Sequence, residues 1–196
     1  MLKKILGVLV ALIALFVIVV ATRPATFEVK RSLLINAPPQ VAFAQVNDFR
    51  AWGGWSPWEK MEPEMKRTWG QSTAGVGATY AWVGDKVGAG NMKITDAKPN
   101  EHLGIDLEFT APFAAKNRAE FDFVKTGEGT TVTWGMSGTN SFMGKAMSLF
   151  KDMDQMVGPD FDKGLADMKT LAEAEGAKVR AAGPAPEAAP VDPGTP

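Results

Sequence analysis

The chain has no cysteine, one histidine and one tyrosine in 196 residues. Without cysteine there is no disulfide framework, no thiol nucleophile and no zinc ribbon. A lone histidine, His102, excludes His-rich metal sites and argues against a Ser-His-Asp triad. Excess charge of one sign is also missing, with 21 basic side chains against 22 acidic ones. Residues 26–176 carry 16 basic and 20 acidic groups with no basic block, so nucleic acid is not an expected partner. The glycine-rich pieces Gly75-Val76-Gly77 and Gly84 to Gly90 do not open a helix after a strand, and no phosphate cradle follows.

Long apolar runs are present once. Ile5–Ala21 holds 17 residues without charge, preceded by Lys3-Lys4 and closed by Thr22-Arg23-Pro24. As a helix it approaches the ~30 Å hydrocarbon core, with the flanking cations extending its reach. Residues 1–25 are therefore expected to be a transmembrane anchor, contacting the bilayer through residues 5–21. A cleaved signal peptide is the competing expectation, because Val19-Val20-Ala21 resembles a small-residue cleavage site. The Lys3-Lys4 flank favours a cytoplasmic N-terminus and a domain on the extracytoplasmic side, a periplasm in a Gram-negative source. At the other end, residues 177–196 are rich in Ala and Pro and read as a disordered tail.

Between them the hydrophobic period is mostly two, then helical from Ser141. Phe27, Val29, Leu33 and Ile35 alternate with polar residues, with Arg31 interrupting the apolar side. Ala37-Pro38-Pro39 starts a short helix, and Trp52 to Trp58 is too rich in Gly and Pro for a long element. Strands are expected over Met65–Gly70, Val76–Val83, Gly90–Asp96, Leu103–Phe109, Ala119–Phe123 and Thr130–Met136. Such consecutive alternation makes an antiparallel sheet with one buried face. The C-terminal segment supplies the cover: a helix from Phe142 to Met153, then a second one opened by Gly158-Pro159.

That order, with Val29-Lys-Arg-Ser-Leu-Leu-Ile-Asn-Ala-Pro-Pro39, Val46-Asn-Asp-Phe49 leading to Trp52, Trp55-Ser-Pro-Trp58, Gly75-Val-Gly-Ala78 and Gly158-Pro-Asp-Phe161, resembles the START/Bet v 1-like superfamily. This group is also called SRPBCC, or polyketide cyclase/dehydrase and lipid transport. The resemblance covers residues 26–176. It implies an α+β helix-grip fold, an antiparallel sheet wrapped around a long C-terminal helix and enclosing a cavity for an apolar ligand. Members bind lipids, sterols, polyketides or quinones, and a minority catalyse cyclisation, aromatisation or hydrolysis.

Within such a cavity, Tyr80 and Asn117 are the candidate polar contacts. The candidate apolar wall comprises Trp82, Met92, Phe109, Phe121 and Phe123, with Trp134 and Met136 from the last strand. Phe161, Leu165 and Met168 join from the closing helix. Trp52, Trp55 and Trp58 form a cavity lid or an interfacial membrane contact, or pin the short helix to the sheet. The methionines (Met92, Met136, Met143, Met147, Met153, Met156, Met168) suit a deformable wall or an irregular core. His102 reads as a surface residue, and Arg31 turns either inward or out through a bulge. Asp152/Asp154 and Asp160/Asp162 lie two apart on a helix, so neither pair shares a face as an acid/base couple, and both read as solvated surface. No cofactor or metal is implied.

Only about four residues separate anchor from strand, so at ~3.3–3.6 Å per residue the domain sits within ~15 Å of the bilayer. The expected function is binding of a hydrophobic small molecule (lipid, quinone or polyketide-like) without chemistry. The rivals are a cyclase/aromatase-type enzyme, for which only Tyr80 and less readily His102 offer a titratable group, and an interaction module with a self-filled cavity.

Overall fold

Strict alternation along seven segments produces one antiparallel sheet, in the order β1-β7-β6-β5-β4-β3-β2. In the computed structural model, which describes residues 1–182, α1 (Leu2–Ala21) precedes β1 (Thr26–Ile35). Three short helices follow: α2 (Pro39–Asn47), α3 (Trp52–Trp55) and α4 (Pro57–Met61). The strands are β2 (Lys66–Trp69), β3 (Thr79–Val83), β4 (Ala89–Lys98), β5 (His102–Ala111), β6 (Ala115–Thr126) and β7 (Gly129–Thr139). The chain ends in α5 (Phe142–Met147) and α6 (Met153–Ala182). This is the helix-grip architecture. Val29, Ile94, Ile105, Phe121 and Val132 are buried on its inner face, where period-two patterning put them.

The grip itself is made by α6 lying along β1, tied at successive points. Arg31 of β1 donates from Nη1 to Asp154 Oδ1 at 2.7 Å, from Nη2 to Asp154 Oδ2 at 3.0 Å and from Nε to Asp162 Oδ2 at 3.2 Å. Further along, Lys169 Nζ donates to the Leu34 carbonyl at 2.7 Å, and Glu173 accepts the Asn36 backbone N–H at 2.8 Å. The β1–β7 register runs unbroken through Arg31, which points inward over the helix with no bulge. Gly158 makes room for it, since a Cβ there would collide with the guanidinium.

Four local expectations are corrected. The helix break falls at Ser148–Asp152, because the Asp152 carboxylate accepts the Gln155 backbone N–H at 2.8 Å and caps a helix starting at Met153. Pro159 then lies inside α6, costing the Gln155 carbonyl its intrahelical donor but not ending the helix. β3 starts at Thr79, not Val76, since Gly75 and Gly77 turn through φ of 74° and 91°. The aspartates read as solvated pairs have separate roles: Asp152 caps, while Asp154 and Asp162, eight apart and so on one face, hold Arg31. Finally, α6 continues past Gly176 to Ala182. The remainder of the expected tail lies outside the described residues.

Arg31 holds the Asp154 carboxyl below its ordinary value of 3.8. A depressed carboxyl contributes stability above its unfolded pKa and loses it as pH falls through the folded one. Wild type is therefore expected to melt higher than Arg31→Gln at about pH 7, with the gap closing below about pH 4. A gap unchanged down to about pH 2 in a thermal-melt series would contradict the pairing.

Candidate functional site

Because α6 packs along β1, the half of the concave face formed by β3 to β6 is left uncovered by it. There a cavity of about 260 Å³ opens between the sheet and α4. The strands contribute Tyr80, Trp82, Met92, Phe109, Trp134 and Met136 to its wall, together with Leu107 and Ala119. Opposite them stand Trp52, Trp58 and Phe161, with Met65, Val87 and Val157. The polar side chains of the wall are Ser56, Glu59 and Tyr80, with two tryptophan N–H groups already donated to backbone carbonyls. A volume somewhat below the about 300–1,000 Å³ usual for small-molecule sites suits one ring system or a single chain.

The polar wall is organised around Glu59, which the sequence reading missed. Its residue is 8% exposed, its Oε1 accepts the Tyr80 hydroxyl, and its Oε2 accepts Arg67 Nε at 2.8 Å. Arg67 also donates to the carbonyls of Pro63 and Met65 at 2.8 and 2.9 Å, which fixes the loop between α4 and β2. Burial and the bond to Glu59 push the Tyr80 phenol well above its ordinary value. Arg67 opposes that shift but does not cancel it. Ser56 precedes α4 without its side chain capping the helix, although it is 2% exposed and faces the cavity. The signal available in the sequence is a lone tyrosine on the inner face, whose hydroxyl needs a partner once buried. Local periodicity did not identify that partner, because α4 is five residues long.

Aromatic contacts set the floor. Phe161 lies flat on Trp134, centroids 4.1 Å apart at 6°, and Phe121 stacks on the Trp134 ring at 5.1 Å. Of the three lid candidates, Trp58 is half-buried at the cavity edge, with its ring edge-on to Trp134 at 5.7 Å. Trp52 lines the cavity and donates its N–H to the Val46 carbonyl at 3.0 Å. Trp55 is fully buried and donates to the Gln45 carbonyl at 2.8 Å, pinning α3 to α2.

Five other expected wall residues lie off the cavity. Phe121 sits beneath the Trp134 ring, Phe123 meets Phe43 edge-on at 5.4 Å, and Leu165 and Met168 are buried core of α6. Asn117 is half-buried on the inner face, but its amide oxygen lies over Gly138 beside Phe27, outside the lining. His102 starts β5 with its Nδ1 2.7 Å from Asp122 and its Nε2 3.1 Å from Asp96, away from the cavity. Of the methionines, Met92 and Met136 line the wall, whereas Met143, Met147 and Met156 are exposed. Ser56, Glu59, Met65, Leu107, Ala119, Val87 and Val157 are the lining residues that sequence reasoning did not single out.

A family model described as polyketide cyclase/dehydrase and lipid transport matches residues 26–173, and the chain belongs to that family. No curated protein matches the chain. Among solved structures, protein MLL2253 of Mesorhizobium loti is 16% identical at a TM-score of 0.55, covering 76% of this chain and 98% of its own. DynU16, from the dynemicin biosynthetic locus, is 12% identical at 0.53, over 76% of this chain and 48% of that one. Ara h 8.0201 is 11% identical at 0.50, over 78% and 99%. At these identities the likeness speaks for a shared Bet v 1-like fold alone.

Tyr80 is the one tyrosine, so its titration is spectroscopically isolated. A phenol whose folded pKa is raised contributes stability below its unfolded pKa and loses it as pH climbs toward the folded one. The phenolate absorbance of the native chain is expected only well above the ordinary value of 10.0. Its appearance at the ordinary value in folded protein would contradict the buried Tyr80–Glu59 bond.

Proposed function

We propose that this member of the polyketide cyclase/dehydrase and lipid transport family holds one apolar small molecule in the cavity beneath α4, while α1 keeps the domain at a bilayer. The observation that carries the reading is the asymmetry of the wall: aromatic and Met side chains nearly all round, with Ser56, Glu59 and Tyr80 on one side. Apolar burial at ~25 cal/mol per Å² supplies affinity, and the polar side orients a ligand bearing a single hydrogen-bonding head. The volume favours a quinone-like or polyketide-like ring, or one acyl chain, over a two-chain lipid.

Several features favour binding over chemistry. The Tyr80 proton is committed to Glu59, and both Glu59 oxygens already accept a bond. The phenol pushed upward stays protonated near neutrality, which makes it a poor general base. For the anchor, α1 is long and apolar enough to cross a membrane, and its side chains are exposed except Val20. The Lys3-Lys4 flank puts the domain on the extracytoplasmic side in this reading.

The full chain purified from its native membrane in mild detergent is expected to carry one apolar molecule per protein in native mass spectrometry. Ala119→Trp projects an indole into the cavity from β6, at a repacking cost of about 1–3 kcal/mol. That variant is expected to keep its circular dichroism yet bind N-phenyl-1-naphthylamine at least about tenfold more weakly, or about 1.4 kcal/mol. Wild type that arrives empty and takes up no probe, or an Ala119→Trp variant that binds as well as wild type, would overturn the reading.

A further inference from the structure

The sheet register brings four parts of the chain to one end. Thr26 lies opposite Thr139, Asn117 opposite Gly138, Phe109 opposite Ala115, Ala89 opposite Ala111 and Val83 opposite Ala89. The end of α1, the helix α5, the β5–β6 turn and the β3–β4 turn therefore share one edge. Of the five half-buried residues in the cavity lining, three lie toward this edge: Val87 on the β3–β4 turn, Phe109 near the end of β5 and Val157 in the first turns of α6; the other two are Leu107 and Trp58. Glu62 holds that β3–β4 lip in place, accepting backbone N–H groups of Asp85, Lys86 and Val87 at 2.8, 2.9 and 3.1 Å.

The same edge carries large apolar side chains that are exposed among the described residues. Phe113 in the β5–β6 turn is 68% exposed and Phe150 after α5 is 88% exposed, joined by Phe142, Met143 and Met147. Single exposed apolar groups need no explanation, but several gathered at one edge of a domain do. The turns at the opposite end are polar, Lys98-Pro99-Asn100-Glu101 and Thr126-Gly127-Glu128. What covers the rim is indicated by how α1 joins it. Val20 is fully buried, Arg23 Nη2 donates to the Ser148 carbonyl at 3.1 Å, and Asn140 donates to the carbonyls of Pro24 and Ala25 at 3.2 and 2.8 Å. The joint is thus built against α5. A bilayer crossed by α1 meets this edge first. Lys145 and Lys151 flank the apolar groups, and Arg23 sits at the joint with its Nε buried and unpartnered among the described residues. These cations suit the anionic headgroup layer.

We propose that this edge rests on an acidic phospholipid surface, with Phe113, Phe142, Met147 and Phe150 set into the acyl boundary. The cavity mouth between Val87, Phe109 and Val157 then opens onto lipid, and the ligand passes between bilayer and cavity without crossing water. The proposal rests on the cavity reading above and adds the route and the surface.

The absence of cysteine makes the test direct. Phe113→Cys, Phe150→Cys and, at the opposite end, Glu128→Cys are labelled with an environment-sensitive nitrobenzoxadiazole in the otherwise intact chain. Each is reconstituted into phosphatidylcholine–phosphatidylglycerol nanodiscs with and without nitroxide on the acyl chains. Labels at 113 and 150 are expected to shift to the blue and to be quenched several-fold more than the label at 128. Equal, water-like emission at all three positions, or failure of the chain to enter nanodiscs, would overturn the proposal. N-Phenyl-1-naphthylamine uptake by the same samples separates the two readings. Uptake with wet labels sinks the membrane face alone, whereas no uptake by wild type sinks the cavity reading.

Discussion

The molecule is organised by the close approach of α6 to β7, where Phe161 lies 4.1 Å above Trp134 and nearly parallel to it. That approach depends on Gly164, where a Cβ would come within 2.7 Å of the same indole. Losing an aromatic ring at such a contact costs about 3–5 kcal/mol in a close-packed core. The stack brings α6 down over β1 and β7, and the Arg31 pairs with Asp154 and Asp162 hold its first turns in register. A curved seven-stranded sheet is wider than one helix. With α6 tied to one side, the other half of the inner face needs separate cover, and α3 and α4 supply it with tryptophan.

The cavity follows from that division. Bulky rings at Trp52, Trp58, Trp82 and Trp134 hold the short helices off the strands, and Ala119 in their midst leaves space instead of filling it. The one buried carboxylate in the wall, Glu59, is satisfied by Tyr80 and Arg67, so its desolvation is offset by protein groups before any ligand arrives. The site is therefore preorganised. Its apolar side is set by strand periodicity, its polar side by Ser56, Glu59 and Tyr80 with Arg67 of β2 bonded to Glu59, and its lip by Glu62 gripping the β3–β4 turn. Preorganisation of this kind limits the ordering cost that binding otherwise carries.

Much of the fold was legible in the sequence because the sheet obeys the period-two rule with few breaks. Val29, Tyr80, Trp82, Phe109, Trp134 and Met136 all lie on the inner face where alternation put them. Alternation cannot say which inner residues meet a helix and which meet a void. Phe121, Phe123, Leu165 and Met168 share the pattern of the wall residues yet lie in the packed core, since their neighbours come from distant segments. Glu59 was invisible for the same reason: its partners lie 8 and 21 residues away on separate strands. The helix break was misplaced because Gly158-Pro159 is a strong local signal, whereas a single cap at Asp152 sets the observed start. Exposed Met143, Met147 and Met156 looked like core by spacing, which cannot show that α5 and the first turn of α6 leave them facing outward.

On the reading proposed above, an apolar cavity with one polar side, held beside α1 at an edge that carries exposed aromatic groups, serves to exchange a membrane-soluble compound with the bilayer. The most direct measurement is the structure of the full chain isolated from its native membrane without delipidation. The account requires continuous non-protein density running from the Tyr80–Glu59 side past Trp134 to the gap at Val87 and Phe109. A cavity closed by Trp58 and Met136, with no density between them, would contradict it.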